Sequence, residues 1–260
     1  MTPRKSPRRN AAAAGASGAK GAGGRAGGAR RKAKAHGGES ADARRDRAGE
    51  IARRLLDTYP DARCRLAFDS PFHLLVAAIL AAQCTDDKVN EVTPSLFAEA
   101  PAPRDLADMD WRHLESLIRP TGFYHNKRKS LQGMAEALLK HHAGQVPREM
   151  DALTALPGVA RKTANMIRAV AFGLPGLICD THVIRLSGRL GLTDTDRPEK
   201  IELDLAALLP EEKWSAFSHA MLFHGRAVCQ AKKPACDACI VADLCPSAYQ
   251  FPHFRKDARG

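Results

Sequence analysis

Cys229, Cys236, Cys239 and Cys245, in "CQAKKPACDACIVADLC", follow the spacing C-x6-C-x2-C-x5-C within seventeen residues. Four thiolates on so short a segment can wrap one inorganic centre, and the close Cys236/Cys239 pair would seed the loop. Zinc and a four-iron cluster each accept four thiolates, so the chemistry alone leaves both open. One close pair flanked by longer arms favours the larger cubane. The second candidate is Lys162 in "LPGVARKTAN", residues 156–165, in the first turn of a helix that follows a Pro157-Gly158 turn. It lies four residues before Met166 and eight before Val170, which extends that helix's apolar stripe to the lysine. Partial desolvation and the positive helix end would both lower its pKa and free the amine as a nucleophile. The plainer alternative is a lysine whose stem covers apolar surface while its head meets phosphate. Eighteen residues on, Asp180 in "CDTHVIRLSGRLGL" stands just before another helix. Aspartate is a favoured N-cap, and a carboxylate near an amine can also stabilise a cationic sugar or assist proton transfer; one side chain could do both.

The elements that must position these groups are helices. From residue 50 onward there is no sustained period-two alternation, and the class is all-α. Leu131, Met134, Ala135, Leu138 and Leu139 form one stripe closed by Gly144. Trp111, Leu114, Leu117 and Ile118 form another between an Asp110 N-cap and Gly122. Ser70-Pro71 starts "FHLLVAAILAAQ", apolar nearly all round and therefore central. Around the quoted turn, a short helix from about Met150 to Leu156 and a longer one ending at Gly173 make a hairpin. The free backbone N–H groups at the start of its second helix suit phosphate without reading a base. Later helices begin near Thr181, Pro198 and Glu211.

The formal charge of +11 points to a polyanionic partner, but its distribution is uneven. Residues 1–49 hold thirteen Lys/Arg against Glu39, Asp42 and Asp46, which places ten of the eleven net charges in the tail. Rich in Gly, Ala, Arg and Lys and poor in large apolar side chains, residues 1–48 are expected to be disordered. Such a tail could tether the chain to nucleic acid by counterion release or serve as a solubilising extension. A transit peptide would share its composition but not its lack of an amphipathic stripe. The longest apolar run, "LLVAAILAA" (74–82), is far short of the roughly 20 residues that span a bilayer, so no membrane is expected. Clustered rather than scattered cysteines point to metal ligation in a reducing compartment, taken here as a cytoplasm; Cys64, Cys84 and Cys179 read as ordinary small buried residues.

Taken together and in this order, "LPGVARKTAN", "DTHVIRLSGRLGL", "HGRAVC" and the cysteine loop resemble the endonuclease III family of helix-hairpin-helix DNA glycosylases. "AAQCTDDKVNEVTPSLF" and "IRPTGFYHNKRKSL" also match family segments, and the similarity spans residues 50 to 248 or so. The resemblance implies a two-lobed fold: a six-helix barrel lobe over 64–174 with the hairpin at about 150–172, and an iron-sulfur lobe from 49–63 and 175–250, followed by a tail at 251–260. It implies a monomeric enzyme that removes oxidised pyrimidines from duplex DNA and cleaves the abasic site by β-elimination. Lys162 matches the family's Schiff-base nucleophile, Asp180 its catalytic aspartate, and the four cysteines the ligands of a [4Fe-4S] cluster. Gln83 and Phe123 stand where the family fills the gap left by a flipped nucleotide, with Phe123 in place of the more usual leucine. Lys127, Gly158, Ala160, Arg161 and Thr163 complete the expected DNA contacts. Ala160 replaces the second glycine of the usual "PGVG", adding a Cβ where backbone approaches phosphate. Cys179 replaces a small aliphatic residue beside the aspartate, a potential point of oxidation. The nearest rival is an adenine-specific mismatch glycosylase, which lacks the nucleophilic lysine; the other is a non-catalytic DNA-binding iron-sulfur protein.

Overall fold

A computed structural model of the chain describes residues 38–255, and the expectation of a disordered tail lies, up to residue 37, outside the described residues. Among the described residues there are helices and no strands. In chain order the α-helices are α1 (Ala41–Thr58), α2 (Pro71–Leu80), α3 (Asp86–Glu99), α4 (Pro103–Asp108), α5 (Trp111–Ile118), α6 (Tyr124–His142), α7 (Met150–Thr154), α8 (Arg161–Phe172), α9 (Thr181–Arg189), α10 (Pro198–Leu208), α11 (Trp214–Ala227) and α12 (Pro252–Arg255).

They gather round two hydrophobic cores. The first takes its buried residues from positions 66–167 and is centred on α2, of which every residue from Leu74 to Leu80 is buried. The second joins α1 to α9, α10 and α11 through Ile51, Leu55, Val183, Leu186, Ile201, Phe217 and Met221. Local sequence sets the starts: the side chains of Ser70, Asp110 and Asp180 cap α2, α5 and α9.

The boundary expected near residue 48 is wrong. Ser40 caps α1, and residues 41–48 form its first two turns. Arg47, which reads as tail charge, binds Glu39 at 2.7 Å and donates to the carbonyls of Leu190 and Gly191 at 2.6 and 3.3 Å, fixing the helix to the second core. The C-terminal tail begins later as well: residues 252–255 are helical, and Phe251 lies under the Arg189 guanidinium, 4.6 Å from its ring centroid. Trp111 also departs from its stripe, being 43% exposed beneath the guanidinium of Arg112.

Candidate active site

The hairpin turn is fixed from below by α6. Gly158 has φ +79, and a Cβ there would lie 2.6 Å from Ser130 Cβ, so the turn needs glycine both for its conformation and for the contact. The next helix, α8, begins at Ala160 with φ −86 and ψ 165. This is ordinary extended backbone, so the alanine that departs from the glycine pattern is unstrained. Ala160 supplies no capping side chain, and among the described residues the backbone N–H groups of Arg161, Lys162 and Thr163 have no acceptor. Lys162 is exposed and Thr163 half-buried. The apolar stripe therefore overstates burial at Lys162: the first helical turn projects beyond the core, which begins at Ala164 and Ile167.

From α8 the chain returns along residues 174–180. Gly176 is pressed against α8, where a Cβ would stand 2.5 Å from the Asn165 carbonyl oxygen. Ile178 N–H donates to Ser218 Oγ of α11 at 3.0 Å. The segment is thus held between the two cores and delivers Asp180 to the start of α9. There Asp180 Oδ1 accepts from the N–H groups of His182 and Val183, both at 2.8 Å, and Oδ2 has no partner among the described residues. Cap and free carboxylate oxygen coexist. At the buried Cys179, desolvation pushes the thiol up to about 12, with the charges of Glu202 and Asp180 adding to the rise and Arg161 opposing it. The same environment removes the oxidation-prone thiol expected at this position, because a buried, protonated sulfur is a poor nucleophile.

Two of the residues expected to contact DNA are engaged within the protein. Arg161 forms a two-point ion pair with Glu202 of α10, Nε to Oε2 and Nη2 to Oε1 each at 2.8 Å, and Asn165 Nδ2 donates to the same carboxylate at 3.0 Å. This pair raises the pKa of the guanidinium and ties the hairpin helix to the second core. Its side chain faces a cavity of about 380 Å³ lined by Asn165, Arg168, Glu202 and Trp214, which neither Lys162 nor Asp180 lines. Lys127 is only 4% exposed, and its ammonium donates to the Thr121 carbonyl at 2.8 Å. Position in a basic run suggested a surface charge; three residues into α6, the side chain instead turns under the preceding loop. Gln83 and Phe123 are exposed, Phe123 by 61%. Both have left-handed backbones, φ 54 and φ 51.

The four cysteines line one pocket, walled for the rest mainly by apolar groups such as Leu186, Val228, Val241 and Phe251, with Arg189 and His224 among them. All four are free of disulfides, and no group of described His, Cys, Asp or Glu converges closely enough to hold a single ion. Four thiol sulfurs around one pocket fit a group ligated by all of them. Burial pushes the thiols of Cys239 and Cys245 up, the latter to about 11, so four thiolates require a cationic centre among them. Donors already face the sulfurs: Arg189 Nη1 reaches Cys229 Sγ at 3.2 Å, and His224 Nε2 lies 3.3 Å from Cys239 Sγ with Tyr59 Oη at 3.1 Å from its Nδ1. Burial lowers His224 to about 4 and keeps the imidazole neutral. A cluster held by these four cysteines would tie four chain positions together and would supply one-electron redox chemistry. The sequence reading missed the supports of this loop. Arg185 donates to the carbonyls of Gly225 and Cys229 at 3.0 and 3.1 Å, and Arg189 to those of Gln230 and Ala231 at 2.8 and 2.7 Å. The signal lies in "HGRAVC": a Cβ on Gly225 would meet His182 Nδ1 at 2.7 Å, so glycine lets α9 and α11 touch. Helix α9 thus carries Asp180 at one end and holds the cysteine loop from the other.

Residues 76–211 match the model of the HhH-GPD superfamily base excision DNA repair proteins, and residues 229–245 that of the iron-sulfur binding domain of endonuclease III. Endonuclease III of Synechocystis sp. is 50% identical over 206 residues, covering 79% of this chain and 94% of the relative. Among solved structures, a trapped endonuclease III–DNA covalent intermediate in its estranged-adenine complex superposes with a TM-score of 0.76 at 40% identity, covering 79% of this chain and 97% of that one. A non-covalent endonuclease III–DNA complex gives the same TM-score at 38% identity, covering 83% and 99%. The chain belongs to the endonuclease III family of helix-hairpin-helix base-excision DNA repair enzymes, with a [4Fe-4S] cluster whose binding domain is residues 229–245.

Proposed function

We propose that the protein, a DNA glycosylase and abasic-site lyase by family, excises oxidised pyrimidines from duplex DNA through Lys162 and Asp180. The observation that supports this reading is an Asp180 that keeps one carboxylate oxygen free while the other caps α9, in a chain that also exposes Lys162 in the first turn of α8. The target carbon is out of reach inside a stacked duplex, so the nucleotide is flipped out; the handful of kcal/mol this costs, a few in most cases, is partly offset by residues that enter the gap. Gln83 and Phe123 have the exposure for that task.

With the amine of Lys162 deprotonated, its lone pair attacks C1′. The C1′–N bond breaks and the base leaves with the electron pair, taking up a proton. As positive charge develops on the sugar, the Asp180 carboxylate stabilises it. Ring opening gives a Schiff base between Lys162 and C1′; loss of a C2′ proton then expels the 3′-phosphate, and water hydrolyses the imine to free the lysine. The unpartnered N–H groups at the start of α8 suit a backbone phosphate beside the lesion. A single chain carries all these groups, and we assign the reaction to the monomer. No helix of the described residues is long and apolar enough to cross a membrane, and a thiolate-bound cluster suits a reducing compartment containing the chromosome.

The test is a duplex carrying thymine glycol at one position. The wild type should release the base and cut the strand there, and Lys162→Ala should do neither. Intact duplex after incubation with the iron-loaded wild type would refute the substrate assignment.

A further inference from the structure

We infer that Lys127 is a positioning residue for Phe123, bracing the left-handed turn that presents this ring to the duplex. The inference rests on the gap-filling role proposed above for Phe123. An aromatic residue at φ 51, ψ 26 is in a conformation that L side chains avoid at a cost of roughly 1–2 kcal/mol, and it persists only where neighbouring groups hold it. Phe123 has no capping hydrogen bond of its own side chain and is largely exposed, so packing does not hold it.

Lys127 supplies the grip at two points. Its backbone N–H donates to the Phe123 carbonyl at 3.1 Å, and its ammonium donates to the Thr121 carbonyl at 2.8 Å. These carbonyls flank Gly122, itself at φ +70, so one residue clasps the turn from both sides. Thr121 is a firm anchor: it is 3% exposed and its hydroxyl donates to the Ile118 carbonyl at 2.8 Å. Burying an ammonium is expensive, and at a site where an apolar side chain of equal length would pack, the charge has to be retained for what it holds. Desolvation accordingly pulls Lys127 below the usual lysine range.

A double-mutant cycle of Lys127→Met and Phe123→Ala tests this, read by affinity for a duplex holding a tetrahydrofuran abasic analogue opposite 2-aminopurine and by the fluorescence of that base. Methionine matches lysine in length and suits the apolar surroundings; Lys127→Gln serves as a second variant with a shorter donor. Each single substitution should weaken abasic-duplex binding roughly tenfold and lower the fluorescence change, while the double variant should be less than about twofold worse than Phe123→Ala alone, the signature of coupled residues. Affinity for undamaged duplex should stay within about twofold. Fully multiplicative effects, or an equal loss on undamaged duplex, would mean that Lys127 acts as a phosphate contact or as general scaffold. Hydrogen exchange of the free protein gives the second arm. In Lys127→Met the amides of residues 122–127 should exchange faster with those of α8 unchanged, and unaltered exchange there overturns the brace. If Phe123→Ala alone leaves abasic binding and fluorescence intact, the gap-filling role of Phe123 fails, and the exchange data judge the brace by themselves.

Discussion

At the scale of single residues, Asp180 carries two jobs that substitution can separate. Asparagine caps a helix about as well as aspartate, and alanine does not. Asp180→Asn should therefore leave stability to urea within about 0.5 kcal/mol, Asp180→Ala should lose about 1 kcal/mol, and both should lower single-turnover cleavage by roughly 10²-fold or more. A slow Asp180→Ala with normal Asp180→Asn would reduce the residue to a cap. Cys179 gives a pH-dependent expectation of definite sign. With its thiol near 12, the thiolate is about one part in 10⁴ at pH 8, and iodoacetamide should leave Cys179 unmodified in the folded protein while labelling it on unfolding. The chemistry-bearing residues were legible in the sequence because their types and spacing are rare together. Their surroundings were not: Lys127 and Arg161 look like surface charges in a basic run, and only the fold reveals that one is buried and the other paired with Glu202, 41 residues away.

At the scale of elements, the site depends on helices that approach without side chains between them. Gly176 is the sharpest case, since the atom its Cβ would strike at 2.5 Å is a backbone oxygen that cannot rotate away. Gly176→Ala should cost about 1–3 kcal/mol in denaturant unfolding, and it should lower turnover beyond what the lost folded fraction explains, because the segment it displaces carries Asp180. An unchanged midpoint would show that this segment yields freely. Capping residues and apolar stripes made α2, α5, α6 and α8 readable in advance, and Asp180 was readable as a cap. The start of α1 was not, because its first turns are composed like the arginine-rich tail and their anchor, Arg47, works through carbonyls 143 residues away. Contacts across such sequence distances leave no local pattern.

At the scale of the whole molecule, the cysteine loop and the aspartate hang from the same helix, α9, while the lysine belongs to the hairpin on the first core. Chain-bound metal should analyse as iron with an equal amount of inorganic sulfide and no zinc, and Cys236→Ser should lose it together with thermal stability of the second core. The basic tail adds a separable contribution: deleting residues 1–37 removes ten Lys/Arg and should flatten the salt dependence of DNA binding with no change in the chemical step. An unaltered slope would make the tail passive. The central claim is that Lys162 itself bonds to the sugar. Borohydride reduction during turnover on a thymine-glycol duplex, followed by proteolysis and mass spectrometry of the trapped complex, should place the sugar adduct on Lys162 alone; an adduct on any other lysine, or on the N-terminal amine, would contradict it.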